Sequence, residues 1–158
     1  MARAREDFLL DPIEQLTKAL LANAPGRERD WAERLNQAVD GMQRALLQHN
    51  AAAESPDGMF TEVDLTRPTL LRRMNQLRQE HKMLLEQAQA FQGQVQNALQ
   101  AFQPSADTLP RPAAVCPVPD FGIIRRDGEH LVAVLQRHRE EETKLVLESV
   151  TTEIGVCD

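Results

Sequence analysis

The fold is decided by residues 70–102, which read LLRRMNQLRQEHKMLLEQAQAFQGQVQNALQAF. Apolar side chains recur along this stretch at alternating intervals of four and three residues, which places them on one face of an α-helix. The positions of this series are Leu70, Met74, Leu77, His81, Leu84, Ala88, Phe91, Val95, Ala98 and Phe102. The pattern therefore predicts one long helix over about 67–103, with His81 on its apolar face.

Three other segments show the same periodicity and are separated by turn signals. These predicted helices cover about 9–23, 29–53 and 126–150. Pro25-Gly26 and Ser55-Pro56-Asp57-Gly58 separate the first three helices, because proline and glycine interrupt helical backbone. Five of the nine prolines lie between residues 104 and 119, so the segment 104–121 is predicted to be a long irregular connection.

These elements predict an all-α fold. Four helices with such connections are typical of an antiparallel up-down four-helix bundle, here with a long proline-rich loop between the third and fourth helices. Asp127 is expected to cap the start of the fourth helix. The predicted organisation is an N-terminal tail at 1–8, the bundle at 9–154 and a C-terminal tail at 155–158.

Composition and charge exclude several classes of function. The chain has 158 residues, with 18 Lys and Arg against 24 Asp and Glu, and its net charge of −6 has the wrong sign for binding a nucleic-acid backbone. One Trp, five Phe and no Tyr agree with a helical rather than a sheet composition. No signal-peptide core follows the N-terminal charges and no apolar window is long enough to span a membrane. We therefore expect a cytoplasmic protein that binds neither nucleic acid nor membrane.

Two more apolar faces carry histidine. The second segment has the series Trp31, Leu35, Ala38, Met42, Ala45 and His49, and the fourth has Leu131, Leu135, His138, Glu142, Leu145 and Ser149. Three helices thus each place one histidine on the inward face, and the fourth helix adds a carboxylate one turn from its histidine. The last histidine, His130, lies about 80° around the helix from His138 and is expected at the surface.

Two interpretations of these residues are open from the sequence. A carboxylate in an apolar seam is costly unless it is paired or binds a cation, and metal sites in bundles are built from side chains on facing helices. Neutral imidazole with carboxylate suits iron, zinc or manganese. Alternatively, His138 and Glu142 form an ordinary ion pair at a helix edge, and His49 stabilises a helix C-terminus.

Three short segments resemble the haemerythrin-like, or HHE cation-binding, domain. They are HNAAAESPDGMF at 49–60, LRQEHKML at 77–84 and LQRHREEETKL at 135–145. That family is a four-helix bundle with a non-haem site that usually holds two iron ions. The resemblance implies that His49, His81, His138 and Glu142 are metal ligands.

The first two helices depart from the family pattern. The first helix has no histidine, and the place of the family's first ligand falls to Pro12, Leu16 or Leu20. Four residues after His49 stands Ala53 instead of a carboxylate, so Glu54, one residue further on, is an optional ligand. The resemblance with these departures implies a mononuclear or weakened site rather than an oxygen carrier.

The sequence thus favours a metal-binding bundle with a binding or sensing role. Its expected cofactor is iron, or alternatively zinc, as one or two ions. The alternative is a metal-free helical module descended from the same family, whose glutamine-rich third helix meets a protein partner. No acid/base pair, nucleophile set or phosphate-binding loop is found, so no enzymatic activity is expected.

Overall fold

The computed structural model describes residues 7–22, 24–63, 66–102 and 119–151. Within these ranges the chain forms four α-helices and one short 3-10 helix, and no strand. The α-helices are α1 (Leu10–Leu21), α2 (Glu28–Glu54), α3 (Pro68–Gln100) and α4 (Phe121–Thr151), and the 3-10 helix spans Met59–Glu62. The expected all-α fold is confirmed, and its helices pack in a bundle-like arrangement.

The apolar seams predicted from periodicity form the core. On α3, every residue of the series from Leu70 to Ala98 is buried, including His81. On α4 the buried set is Ile124, Gly128, Leu131, Val132, Leu135, His138, Glu142, Leu145 and Ser149. On α2, Val39 and Leu46 are fully buried, whereas Ala38 from the predicted series is only half-buried. The four-and-three spacing therefore identified the inward faces of α2, α3 and α4 to within one neighbouring position.

The start of α4 differs from the prediction. The helix begins at Phe121, and the side chain of Asp120 accepts hydrogen bonds from the backbone N–H groups of Gly122 (2.9 Å) and Ile123 (3.2 Å). Asp120 is thus the N-terminal cap, and Asp127 lies inside the helix. The predicted connection at 104–121 therefore ends one residue earlier, at 120. Most of this connection lies outside the described residues. The same holds for the predicted tails, of which only residues 7 and 8 are described.

Contacts between the helices pair distant parts of the chain. Gln43 on α2 donates to the Ala88 carbonyl on α3 (3.1 Å) and to the side chain of Gln92 (2.8 Å). The indole of Trp31 donates to the carbonyl of Ala19 (2.9 Å), which fixes the beginning of α2 to the end of α1. An ion pair between Asp7 and Arg139 holds the residues before α1 against α4.

The buried apolar residues fall into two clusters. The larger one draws on all four α-helices, whereas the smaller consists of Ala53, Phe60, Val63, Leu70, Met74, Leu77 and Leu145 and contains no residue of α1. Along α3, Leu84 belongs to the larger cluster and Leu77 to the smaller, and His81 lies between them. A buried polar layer thus separates the two clusters. No helix in the described ranges is long and apolar enough to cross a membrane.

Candidate metal centre

The polar layer consists of one histidine from each of three helices and a glutamate. His49 comes from α2, His81 from α3, and His138 and Glu142 from α4. One nitrogen or oxygen atom of each residue lies within 4.8 Å of the corresponding atom of every other. His81 and His138 are each 1 % exposed and Glu142 is 6 % exposed, so these three are shielded from water, whereas the side chain of His49 is 13 % exposed. Its members are four of the five residues that the sequence singled out as candidate ligands, and Glu54 is the fifth.

All three imidazoles point the same nitrogen at one carboxylate oxygen. The Nε2 atoms of His49, His81 and His138 lie 3.0, 3.1 and 3.2 Å from Oε1 of Glu142. The rings meet edge to face, with centroids 5.0 to 6.0 Å apart. This convergence follows from the helix seams, since each histidine replaces an apolar residue at the same level of the core.

The surroundings shift the pKa of the carboxyl group. Burial raises the pKa of Glu142 because water no longer solvates the anion, but the nearby imidazoles of His138, His49 and His81 outweigh this effect. The pKa of Glu142 is therefore held far below its ordinary value. The carboxylate remains an anion throughout the physiological pH range.

The opposite nitrogens of two histidines are backed by other carboxylates. Nδ1 of His81 lies 3.1 Å from Oε1 of Glu54, and Nδ1 of His138 lies 2.9 Å from Oε2 of Glu80. Burial lowers the pKa of His138, but Glu142 and Glu80 together outweigh it and raise that pKa above its ordinary value. Each of these two imidazoles therefore has an anion at both edges.

This arrangement creates a conflict for neutral imidazoles. A neutral ring carries one N–H and one lone pair, so a ring that donates from Nδ1 turns a lone pair toward Glu142. The conflict is visible at His138, whose Nε2 is fully buried and, within the described part of the chain, has no hydrogen-bond partner of suitable geometry despite the 3.2 Å distance to Glu142. A buried polar atom without a partner is rare and costly. Protonation of the ring, or a cation near the three Nε2 atoms, would remove the conflict.

The 3-10 helix after α2 closes one side of the layer. The centroid of the Phe60 ring lies 5.6 Å from that of His81, and the guanidinium of Arg78 lies over the Phe60 ring, 5.2 Å from its centroid. Gly58 permits this fold because a Cβ atom there would lie only 2.3 Å from the carbonyl oxygen of Ala53. Phe60, itself 3 % exposed, thus keeps water away from His81.

The other residues considered from the sequence lie outside the group of four. Leu16 and Leu20 of α1 are buried in the larger apolar cluster, and Pro12 is half-buried, so α1 contributes no residue to the group of four. Glu54 reaches the outer nitrogen of His81 rather than the common centre. His130 is exposed, as expected.

Sequence reasoning missed one residue of the site, Glu80. Its carboxylate crosses from α3 to His138 on α4, although it lies off the apolar seam of its own helix. A signal was present in the sequence, because Glu80 directly precedes His81. A residue next to an inward-facing position lies at the border of the buried face, where its side chain can reach a neighbouring helix.

Comparisons with protein-family models, with curated proteins and with solved structures find no match to this chain. The function proposed below therefore depends on the four converging side chains and the residues that surround them.

Proposed function

We propose that this chain binds one divalent transition-metal ion, iron or zinc, through His49, His81, His138 and Glu142, and that it serves as a haemerythrin-like metal-binding or sensing bundle. The observation that carries the proposal is the convergence of three imidazole Nε2 atoms on one carboxylate oxygen, at 3.0 to 3.2 Å. Three imidazoles and a carboxylate form a donor set that suits both metals.

The charges of the layer support a divalent ion. With neutral imidazoles, Glu142 in the layer and Glu54 and Glu80 at its outer edges give three negative charges, and a divalent ion would reduce this net charge to one. Three protonated imidazoles would cancel all three charges, but they would place like charges on rings whose centroids are 5.0 to 6.0 Å apart. A single ion satisfies the same atoms without that repulsion.

The number of ligands favours one ion over two. A site for two ions needs further carboxylates at the centre, but Glu54 and Glu80 lie at the outer edges of the histidine rings. α1 faces the core with apolar side chains. The proposed site is therefore mononuclear, in contrast to the usual pair of ions in the family that the sequence resembles.

The proposed bundle is antiparallel and up-down. Two contacts between α2 and α3 support this order: Gln43 meets Ala88, and His49 meets His81. Positions on the two helices thus run in opposite directions. The short connection between α2 and α3 fits the same arrangement.

The test is a direct measurement of metal binding. Protein purified without an affinity tag should bind about one equivalent of zinc or ferrous iron after reconstitution under anaerobic conditions, as measured by elemental analysis and calorimetry. His81→Ala should lose most of this binding, whereas His130→Ala, at the exposed histidine, should retain it. Less than about 0.2 equivalents in the unsubstituted protein would refute the proposal. If the unsubstituted protein binds no metal and His81→Ala melts at the same temperature as it does, with or without added metal, a metal-free interaction module is favoured.

A further inference from the structure

We propose that Glu54 and Glu80 are positioning residues for the metal centre, which hold His81 and His138 in the tautomer and orientation that point Nε2 inward. This inference rests on the function proposed above. It assigns to both carboxylates a role outside the ligand set, although Glu54 was considered a ligand from the sequence alone.

The first support is the position of each carboxylate on its ring. Glu54 and Glu80 contact Nδ1 of His81 and His138 at 3.1 and 2.9 Å, whereas Glu142 contacts Nε2. The two nitrogens lie at opposite edges of an imidazole, so the ring itself stands between each outer carboxylate and the centre. Neither glutamate belongs to the group of atoms within 4.8 Å of one another.

The second support is the tautomer that this contact selects. A carboxylate accepts a hydrogen bond and cannot donate one, so it favours the form of histidine that carries its proton on Nδ1. The lone pair is then on Nε2, which is the nitrogen that faces Glu142. Such carboxylate–histidine pairs orient the ligands of many metal sites and increase the basicity of the imidazole.

The third support is that both positioning contacts connect neighbouring helices. Glu54 of α2 contacts the histidine of α3, and Glu80 of α3 contacts the histidine of α4. Glu142 of α4, in contrast, contacts all three histidines at the centre. Each positioning contact crosses to a neighbouring helix, so it fixes the ring relative to the helix that carries the next ligand.

The two positioning residues should differ in strength. The side chain of Glu80 is 21 % exposed and its contact is 2.9 Å, whereas that of Glu54 is 47 % exposed with a contact of 3.1 Å. Water and salt screen a more exposed charge more effectively. Glu80 is therefore expected to have the larger effect on metal affinity.

The experiment compares zinc affinity and the cobalt spectrum of the full chain and its variants. Glu80→Ala should weaken zinc binding about 10- to 100-fold, Glu54→Ala less, and both should still bind one ion. Glu80→Gln keeps an acceptor oxygen for Nδ1 and should recover part of the loss. Glu86→Gln, at an exposed position on the same helix, is the matched control and should bind as the unsubstituted protein does.

The visible spectrum of the cobalt-loaded protein separates positioning from ligation. The Glu80 and Glu54 variants should keep the band positions of the unsubstituted protein, whereas Glu142→Gln, which alters a proposed ligand, should shift them. Unchanged zinc affinity in Glu80→Ala would overturn the inference while leaving the proposed function intact. A band shift in Glu80→Ala like that in Glu142→Gln would instead make Glu80 a ligand, which also overturns it. An unsubstituted protein that binds no metal would refute both proposals.

Discussion

Replacing the whole polar layer by apolar side chains should stabilise the metal-free protein. The variant carries His49→Leu, His81→Leu, His138→Leu and Glu142→Leu. The layer lies between two apolar clusters, and His81 and His138 are each 1 % exposed, so the new side chains would join existing apolar surfaces. Replacing a buried charged group by apolar residues of similar size is often neutral or stabilising by about 1 to 4 kcal/mol. At roughly 2 to 4 °C per kcal/mol for a chain of this length, the melting temperature should rise by roughly 2 to 16 °C.

Thermal unfolding with and without zinc measures this effect. The unsubstituted protein should gain about 2.7 kcal/mol, or roughly 5 to 11 °C, when free zinc is 100 times its Kd. The apolar variant should gain nothing. His130→Leu, at the surface, should change stability by no more than about 0.5 kcal/mol and keep the zinc response.

One result would refute the reasoning about the layer. If the apolar variant is less stable than the metal-free unsubstituted protein by more than about 1 kcal/mol, the histidines and Glu142 stabilise the fold through their own hydrogen bonds. The layer would then be structural, and its composition would no longer argue for a metal.

Two further predictions concern pH and packing. Because the pKa of His138 is raised in the folded state, protonation of His138 stabilises the metal-free protein. This contribution is fully present below the unfolded pKa of about 6.5 and is lost as the pH rises through the folded pKa. Zinc requires neutral imidazoles, so its stability increment should instead grow between pH 5.5 and 7.5 in thermal scans, and an increment undiminished at pH 4.5 would contradict the site. Gly128→Ala should be neutral or destabilising by up to about 2 kcal/mol, because its Cβ would lie 2.5 Å from Leu20 and 2.7 Å from Phe91, and overpacking outweighs the helix-propensity gain of about 1 kcal/mol. A Cβ atom at Gly93 would meet nothing within 4 Å, so Gly93→Ala should stabilise the fold by about 0.5 to 1 kcal/mol in urea titrations. Equal gains in stability for the Gly128 and Gly93 variants would contradict the close packing around Gly128.

The sequence predicted the helices well because their burial follows one period. The four-and-three spacing places nine positions of α3 correctly in the core. The same spacing also identified four residues of the site, because a histidine or glutamate at an inward-facing position points into the core as an apolar residue there would. The buried face of a long helix with a continuous apolar series can be predicted from its own sequence, without knowing which helices pack against it.

The missed features depend on contacts between helices. Ile124, Gly128 and Leu131 continue the four-and-three spacing of α4 toward its start. The spacing was not recognised there because Gly128 is not an apolar side chain. Gly128 is explained only by the side chains of Leu20 and Phe91, which leave no room for a Cβ atom. The position of Glu80 likewise depends on how closely α3 approaches α4, which no periodicity within one helix reveals.

The proposed metal centre depends on how the hydrogen bonds are distributed within the polar layer. At the outer edges, each Nδ1 of His81 and His138 has its own carboxylate. At the centre, three Nε2 atoms share one oxygen of Glu142, and that of His138 forms no hydrogen bond in the described part of the chain. A proton would satisfy one of these nitrogens, whereas a divalent ion would accept all three lone pairs and the carboxylate together. Because the imbalance is confined to the inner atoms, it supports the proposal of a cation at the centre of the layer.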